Sequence, residues 1–103
     1  MDAIEKLISG YRHFHQTKFQ PDSDYQQLSA GQSPKTLMVA CSDSRISPLT
    51  LTHSKLGEIF VIRNVANLVP PYQPDPDNLH GVSAALEFGV CHLEVENIVV
   101  MGH

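Results

Sequence analysis

Three short apolar runs constrain this chain more than any other feature. Thr36 to Cys41 reads Thr-Leu-Met-Val-Ala-Cys, Glu58 to Arg63 contains Ile59-Phe60-Val61-Ile62, and Asn97 to Met101 contains Ile98-Val99-Val100. A strand with one wet face alternates polar and apolar residues, whereas a nearly continuous apolar run predicts a strand buried on both faces. Between the second and third runs, Asp77 to Cys91 carries Leu79, Val82, Leu86 and Val90 at helical spacing. The preceding Asp75-Pro76-Asp77-Asn78 suits a helix cap. Short buried strands alternating with a helix predict an α/β domain: a parallel-sheet core with flanking helices.

Ahead of the first run, Ile4, Leu7, Ile8, Tyr11 and Phe14 recur at helical spacing, with Asp2 placed to cap them. This helix should end before Pro21, because the residue preceding a proline avoids helical geometry. Its apolar stripe predicts burial against the same domain or against a second subunit. A polar stretch follows, with one short helix expected around Tyr25 to Leu28, and Pro70 to Pro76 reads as a stiff surface loop. The 103 residues suit one domain: a helical arm over about 1–20 and an α/β core over about 34–103. The third run ends on Gly102-His103, where a parallel sheet forms its sites, so a domain incomplete at its C-terminus is expected.

Charge excludes one class of function. Seven Lys and Arg against eleven Asp and Glu give a net charge of −4, which is no electrostatic footprint for nucleic acid. Two cysteines make no disulfide framework. The acidic start Met1-Asp2-Ala3-Ile4-Glu5 lacks a secretory pattern, and no apolar run approaches the roughly 20 residues of a membrane helix. A cytoplasmic protein that binds neither nucleic acid nor membrane is the expectation.

The chemistry-bearing residues fall at strand ends. Cys41-Ser42-Asp43-Ser44-Arg45 closes the first run and His103 follows the third. If the strands are parallel neighbours, a thiolate, a carboxylate and an imidazole emerge at one sheet edge, and all three are zinc ligands. Arg45 could hold Asp43 as a bidentate pair. Each residue also has a plain structural reading. Cysteine closing a buried strand is a small core residue, and Asp-x-Arg is a turn with a surface ion pair. Arg63-Asn64 presents polar groups at the same edge or caps its loop. Cys91 reads as structural, and His13, His15, His53, His80 and His92 as solvated.

Gly31-Gln32-Ser33-Pro34-Lys35, Cys41-Ser42-Asp43-Ser44-Arg45 and Arg63-Asn64-Val65-Ala66-Asn67-Leu68-Val69 follow one another in an order and spacing that resemble the beta carbonic anhydrases. Ser83-Ala84-Ala85-Leu86-Glu87-Phe88 and the closing Glu94-Val95-Glu96-Asn97-Ile98-Val99-Val100-Met101-Gly102-His103 look like the same family. The match is dense from Gly31 to His103 and looser across the first helix. Cys-x-Asp-x-Arg is common alone. Joined to Arg-Asn-x-Ala-Asn and a strand ending Gly-His, it is specific.

The resemblance implies zinc as cofactor, with Cys41 and His103 as ligands. Asp43 would either bind the metal and close the site, or pair with Arg45 and leave a position to water. The family's remaining ligand, a cysteine three residues after the histidine, falls beyond His103. Lys55 stands near a place where some members carry a glutamine. The implied reaction is reversible hydration of CO2 to bicarbonate and a proton, by attack of zinc-bound hydroxide on CO2, with Asp43 and Arg45 as catalytic residues. The resemblance also implies a homodimer or higher homo-oligomer, with the active site at the dimer interface and the first helix on the neighbouring subunit. Two other readings stand beside it. One is a catalytically incomplete module that only dimerises or binds zinc weakly; the other is a related zinc hydrolase acting on a thio analogue of CO2. A redox thiol module is disfavoured, because there is no Cys-x-x-Cys.

Overall fold

The computed structural model describes residues 2–73 and 80–103. The expected cap at Asp75-Pro76-Asp77-Asn78, the core position Leu79 and most of the proline loop's second half lie outside them. The chain divides into two compact units, Met1–Gly31 and Gln32–His103.

In the first unit, helix α1 spans Ala3–Thr17. Asp2 accepts from the Glu5 amide at 2.8 Å while Glu5 accepts from the Asp2 amide at 3.2 Å, so two orphan donors of the first turn are satisfied reciprocally. The helix ends ahead of Pro21, as expected. No residue of α1 is buried, and Ile4, Leu7, Ile8 and Tyr11 are all exposed. A short helix α2 (Asp24–Gln27) and a 3-10 turn (Leu28–Ala30) follow. Tyr25 of α2 meets Phe14 of α1 edge-on at 4.8 Å, the geometry that the aromatic quadrupole favours.

The second unit is a three-stranded parallel sheet of order β2-β1-β3. Strand β1 is Thr36–Cys41, β2 is Ile59–Asn64 and β3 is Asn97–Val100. The three runs therefore form the three strands. β2 starts one residue late, because the Glu58 amide is drawn into a turn by Lys55 O at 3.2 Å. It also ends one residue late, because Asn64 pairs with Cys41 at the last rung of the ladder. Helix α3 (Pro48–Leu51) lies between β1 and β2. β1 is central and buried from Leu37 to Cys41. Leu37 and Val39 are fully enclosed and pack with Ile62, Phe60, Val82, Ala85, Leu86 and Val95. Burying each such aliphatic side chain stabilises the fold by about 1.5–3 kcal/mol.

Two expectations need correction. β3 was expected to be buried on both faces, but Ile98, Val99 and Val100 are 54%, 40% and 52% exposed. Apolar sequence records a tendency to be covered, and the core that forms is centred on Leu37, Val39 and Ile62 of β1 and β2, with the helix residues Val82, Ala85 and Leu86 packed against them. The helix expected over Asp77 to Cys91 is α4, Gly81–Glu87, continuing as a π-helical turn over Phe88–His92. His80 sets its start, since the imidazole Nδ1 accepts from the Ser83 amide at 3.3 Å. His80 is thus a half-buried cap and not a solvated side chain. In the π turn, Leu93 donates to Phe88 O, five residues back, at 3.0 Å. Among the described residues no helix is long and apolar enough to cross a membrane.

Candidate metal centre

Parallel pairing delivers the ends of all three strands to one edge of the sheet, where sites of open α/β sheets form. Cys41 is the last residue of β1 and is buried. Its sulfur accepts from the Ala66 amide at 3.4 Å. Amides of Ala66, then Asp43 and Ser42, lower the thiol pKa, while burial and the Asp43 charge act the other way; the balance lies below the ordinary cysteine value. A thiol of this kind reaches the thiolate form that binds metals more readily.

The loop after β1 folds Asp43 and Arg45 onto each other. Arg45 Nε donates to Asp43 Oδ1 at 3.0 Å and Arg45 Nη2 to Oδ2 at 2.7 Å, a two-pronged fork. The Arg45 amide donates to Oδ1 as well, at 2.8 Å. His103 Nε2 lies 2.9 Å from Asp43 Oδ2. The Arg45 side chain foremost, then its amide, hold the Asp43 carboxyl well below the usual carboxylate range, against burial and with help from His103. Asp43 reciprocally raises the Arg45 pKa. The Asp43 side chain is 17% exposed and that of Arg45 81%, so the carboxylate is seated and the guanidinium reaches it from the solvent side.

Arg63 and Asn64 hold this arrangement from β2. Arg63 Nε donates to Cys41 O at 2.9 Å, and Arg63 Nη2 donates to Asp43 O at 2.9 Å and to Ile46 O at 2.7 Å. Asn64 O accepts from the Ser42 amide at 2.8 Å. The Asn64 side chain accepts from the Leu68 amide at 2.6 Å and donates to Leu68 O at 2.9 Å. That clamp encloses Ala66 and Asn67, both left-handed at φ 71° and 45°, a conformation that costs a residue with a Cβ about 1–2 kcal/mol. The strained turn is what aims the Ala66 amide at the Cys41 sulfur.

The edge therefore brings together Cys41, Asp43, Arg45 and His103. Lys55 lies instead in the turn before β2, where its carbonyl accepts from Glu58. Cys91 is exposed in the π turn leading into the amino end of β3, and His92 stacks there on Phe88 at 5.4 Å. Sequence reasoning left Arg63 and Asn64 between two readings and missed Ala66, whose contribution is a backbone amide that no side chain announces.

The carbonic anhydrase family model matches residues 36–103. The chain belongs to that family, and within it to the beta class. It is 44% identical to beta carbonic anhydrase 3 of Arabidopsis thaliana over all of its own length and 40% of that protein's. Among solved structures it resembles the beta-carbonic anhydrase CcaA, with a TM-score of 0.82 and 39% identity over 94% of this chain and 46% of the other. It also resembles the tetrameric beta-carbonic anhydrases of Sordaria macrospora, with a TM-score of 0.66 and 35% identity over 98% of this chain and 46% of theirs. The chain thus spans less than half the length of these relatives.

Beta carbonic anhydrases are zinc enzymes. The donors at this edge fit zinc in kind: a thiol disposed to ionise, an imidazole and a carboxylate. Among the described residues, however, no group of three or more His, Cys, Asp or Glu side chains is gathered as a metal site. Asp43 is taken up by Arg45 through both of its oxygens, and His103 Nε2 lies against the same carboxylate.

Proposed function

We propose that this sheet edge serves the reversible hydration of carbon dioxide to bicarbonate and a proton, with Cys41 and His103 as the zinc ligands. When bound, zinc supplies the Lewis acidity that brings the ionisation of water to about pH 7. The chain's own part centres on Asp43. A carboxylate held so far below its usual pKa is a poor base but a permanent hydrogen-bond acceptor, so Asp43 orients the attacking water and does not remove its proton. Arg45 holds Asp43 in that state and away from the metal. The Asp43–Arg45 fork is the observation that carries this reading. The zinc hydrolase acting on a thio analogue of CO2 would use the same residues, and turnover of that analogue in place of CO2 would identify it.

Partners follow the same reading. The exposed apolar residues Ile4, Leu7, Ile8 and Tyr11 of α1 favour a homodimer or higher homo-oligomer, in keeping with the tetrameric Sordaria relatives. The free thiols of Cys41 and Cys91 suit the cytoplasm. The absence of a third gathered donor among the described residues favours a second reading, a module that binds zinc weakly and does not turn over.

Zinc content per chain and CO2 hydration, measured together on the 103-residue chain and on Cys41→Ser, test both. Zinc near one per chain with hydration, both lost in the mutant, is the expected result. Zinc without hydration would establish the second reading, and zinc retained by Cys41→Ser would overturn the ligand assignment.

A further inference from the structure

We propose that Arg63 is the positioning residue of this edge: its guanidinium fastens the loop after β1 so that Asp43 and Arg45 can form their fork. The proposal rests on the reading of Asp43 and Arg45 as the working pair, but its geometry is independent of zinc.

Three carbonyls converge on one side chain. Arg63 sits on the second-last rung of β2, opposite Ala40, so the sheet fixes its backbone. From there it reaches Cys41 O, Asp43 O and Ile46 O, at 2.9, 2.9 and 2.7 Å. These carbonyls belong to the first, third and last residues of Cys41–Ile46, the segment that turns from strand to helix α3. Apart from Arg63, its inward bonds are few: Ser42 to Asn64 O at 2.8 Å, Ile46 to Asp43 O at 3.0 Å, and the Arg45 amide to Asp43 Oδ1 at 2.8 Å.

Only the first of these ties the loop to another strand. Beyond Ser42, the other long-range tie among the described residues is the Asp43 side chain to His103 Nε2 at 2.9 Å. Without Arg63 no backbone group of that segment would be bonded to another strand, and local bonds move with the loop. A guanidinium suits the role because its donors point in fixed, divergent directions, which one ammonium cannot reproduce. Arg63 touches no reacting group. It acts through Asp43, whose backbone carbonyl it holds, and the Asp43 side chain then meets Arg45. Each of its bonds is charge-assisted, a class that contributes more than a neutral hydrogen bond.

The test reads the fork directly in the zinc-free 103-residue chain. Arg45 is largely exposed, so its Nε–H should exchange with water rapidly unless Asp43 holds it. Nitrogen-15 NMR follows that proton together with the amides of Val39 and Ile62 in the sheet. In Arg63→Gln, exchange at Arg45 Nε–H should rise roughly tenfold or more, with Val39 and Ile62 unchanged. Arg63→Lys should fall between Gln and wild type. Unchanged exchange at Arg45 in Arg63→Gln would overturn the proposal. So would a rise shared equally by Val39 and Ile62, which would make Arg63 a general support of the sheet. Because no zinc or turnover enters the measurement, absence of CO2 hydration would sink the functional reading and leave this one standing.

Discussion

His103 Nε2 lies 2.9 Å from Asp43 Oδ2, across sixty residues of sequence. The same oxygen accepts from Arg45 Nη2 at 2.7 Å. One carboxylate thus ties the loop after β1 to the residue that follows β3, and the tie depends on its charge.

That dependence has a sign. The pKa of Asp43 is depressed in the fold, chiefly by the Arg45 side chain, so the folded state favours the ionised form. The resulting stability is fully present above the ordinary aspartate range near about 3.9. It is lost as pH falls through that range toward the lower folded value. The urea midpoint of the wild-type chain should drop between about pH 5 and about pH 2 by more than that of Asp43→Asn, which has nothing to protonate there. Parallel midpoints for the two proteins would show that the fork adds nothing to stability.

Asn64 offers a second test, at the thiol. Its side chain brackets the left-handed pair Ala66 and Asn67 through Leu68, and the Ala66 amide is the largest cause of the lowered Cys41 pKa. Asn64→Ala should release that turn and move the Cys41 pKa up, toward the ordinary thiol. In a Cys91→Ser background, the ultraviolet absorbance of the thiolate against pH reads Cys41 alone. The titration should move to higher pH in Asn64→Ala, and an unmoved titration would detach Asn64 from the thiol.

Most of the sheet was legible in the sequence because a parallel strand covered on both faces reads as a nearly continuous apolar run, and Thr36 to Cys41, Glu58 to Arg63 and Asn97 to Met101 carry such runs. What escaped was whatever depends on neighbours instead of composition. Ile98, Val99 and Val100 have the sequence of a buried strand, but burial requires a covering layer. The start of α4 escaped because histidine is a rare cap, and its role shows only in the folded chain, where the His80 side chain accepts from the Ser83 amide through Nδ1. Cys41, Asp43, Arg45 and His103 could be placed at one edge from the order of the elements. The roles of Arg63 and Ala66 could not, because they act through main-chain groups, which sequence patterns do not distinguish.

The cap at His80 carries a modest and measurable stability. His80→Ala removes the acceptor for the Ser83 amide and should cost about 1 kcal/mol, as other N-cap losses do. His80→Ser should recover most of it, since a hydroxyl oxygen can accept at the same place. Urea denaturation of the three proteins checks the order. Equal stability of the Ala and Ser variants would mean that the imidazole contributes by packing and not by capping.

Gly89 sits against the core with no room for a Cβ. A Cβ there would run into Leu37 Cδ1 and touch Phe60 Cδ1 at 3.6 Å, and Leu37 is fully buried at the centre of the sheet. Gly89 lies in the π-helical turn, which it allows to settle directly on β1. Overpacking of a close-packed core costs about 1–3 kcal/mol, so Gly89→Ala should lose that much despite the better helix propensity of alanine. The loss should depend on Leu37. Leu37→Val alone also destabilises, by removing buried surface, but in combination it opens the space that the new methyl needs. Gly89→Ala with Leu37→Val should therefore be more stable than the sum of the single losses predicts, by about 0.5 kcal/mol or more. Strict additivity in urea midpoints would place the strain of Gly89→Ala elsewhere, in the π turn itself.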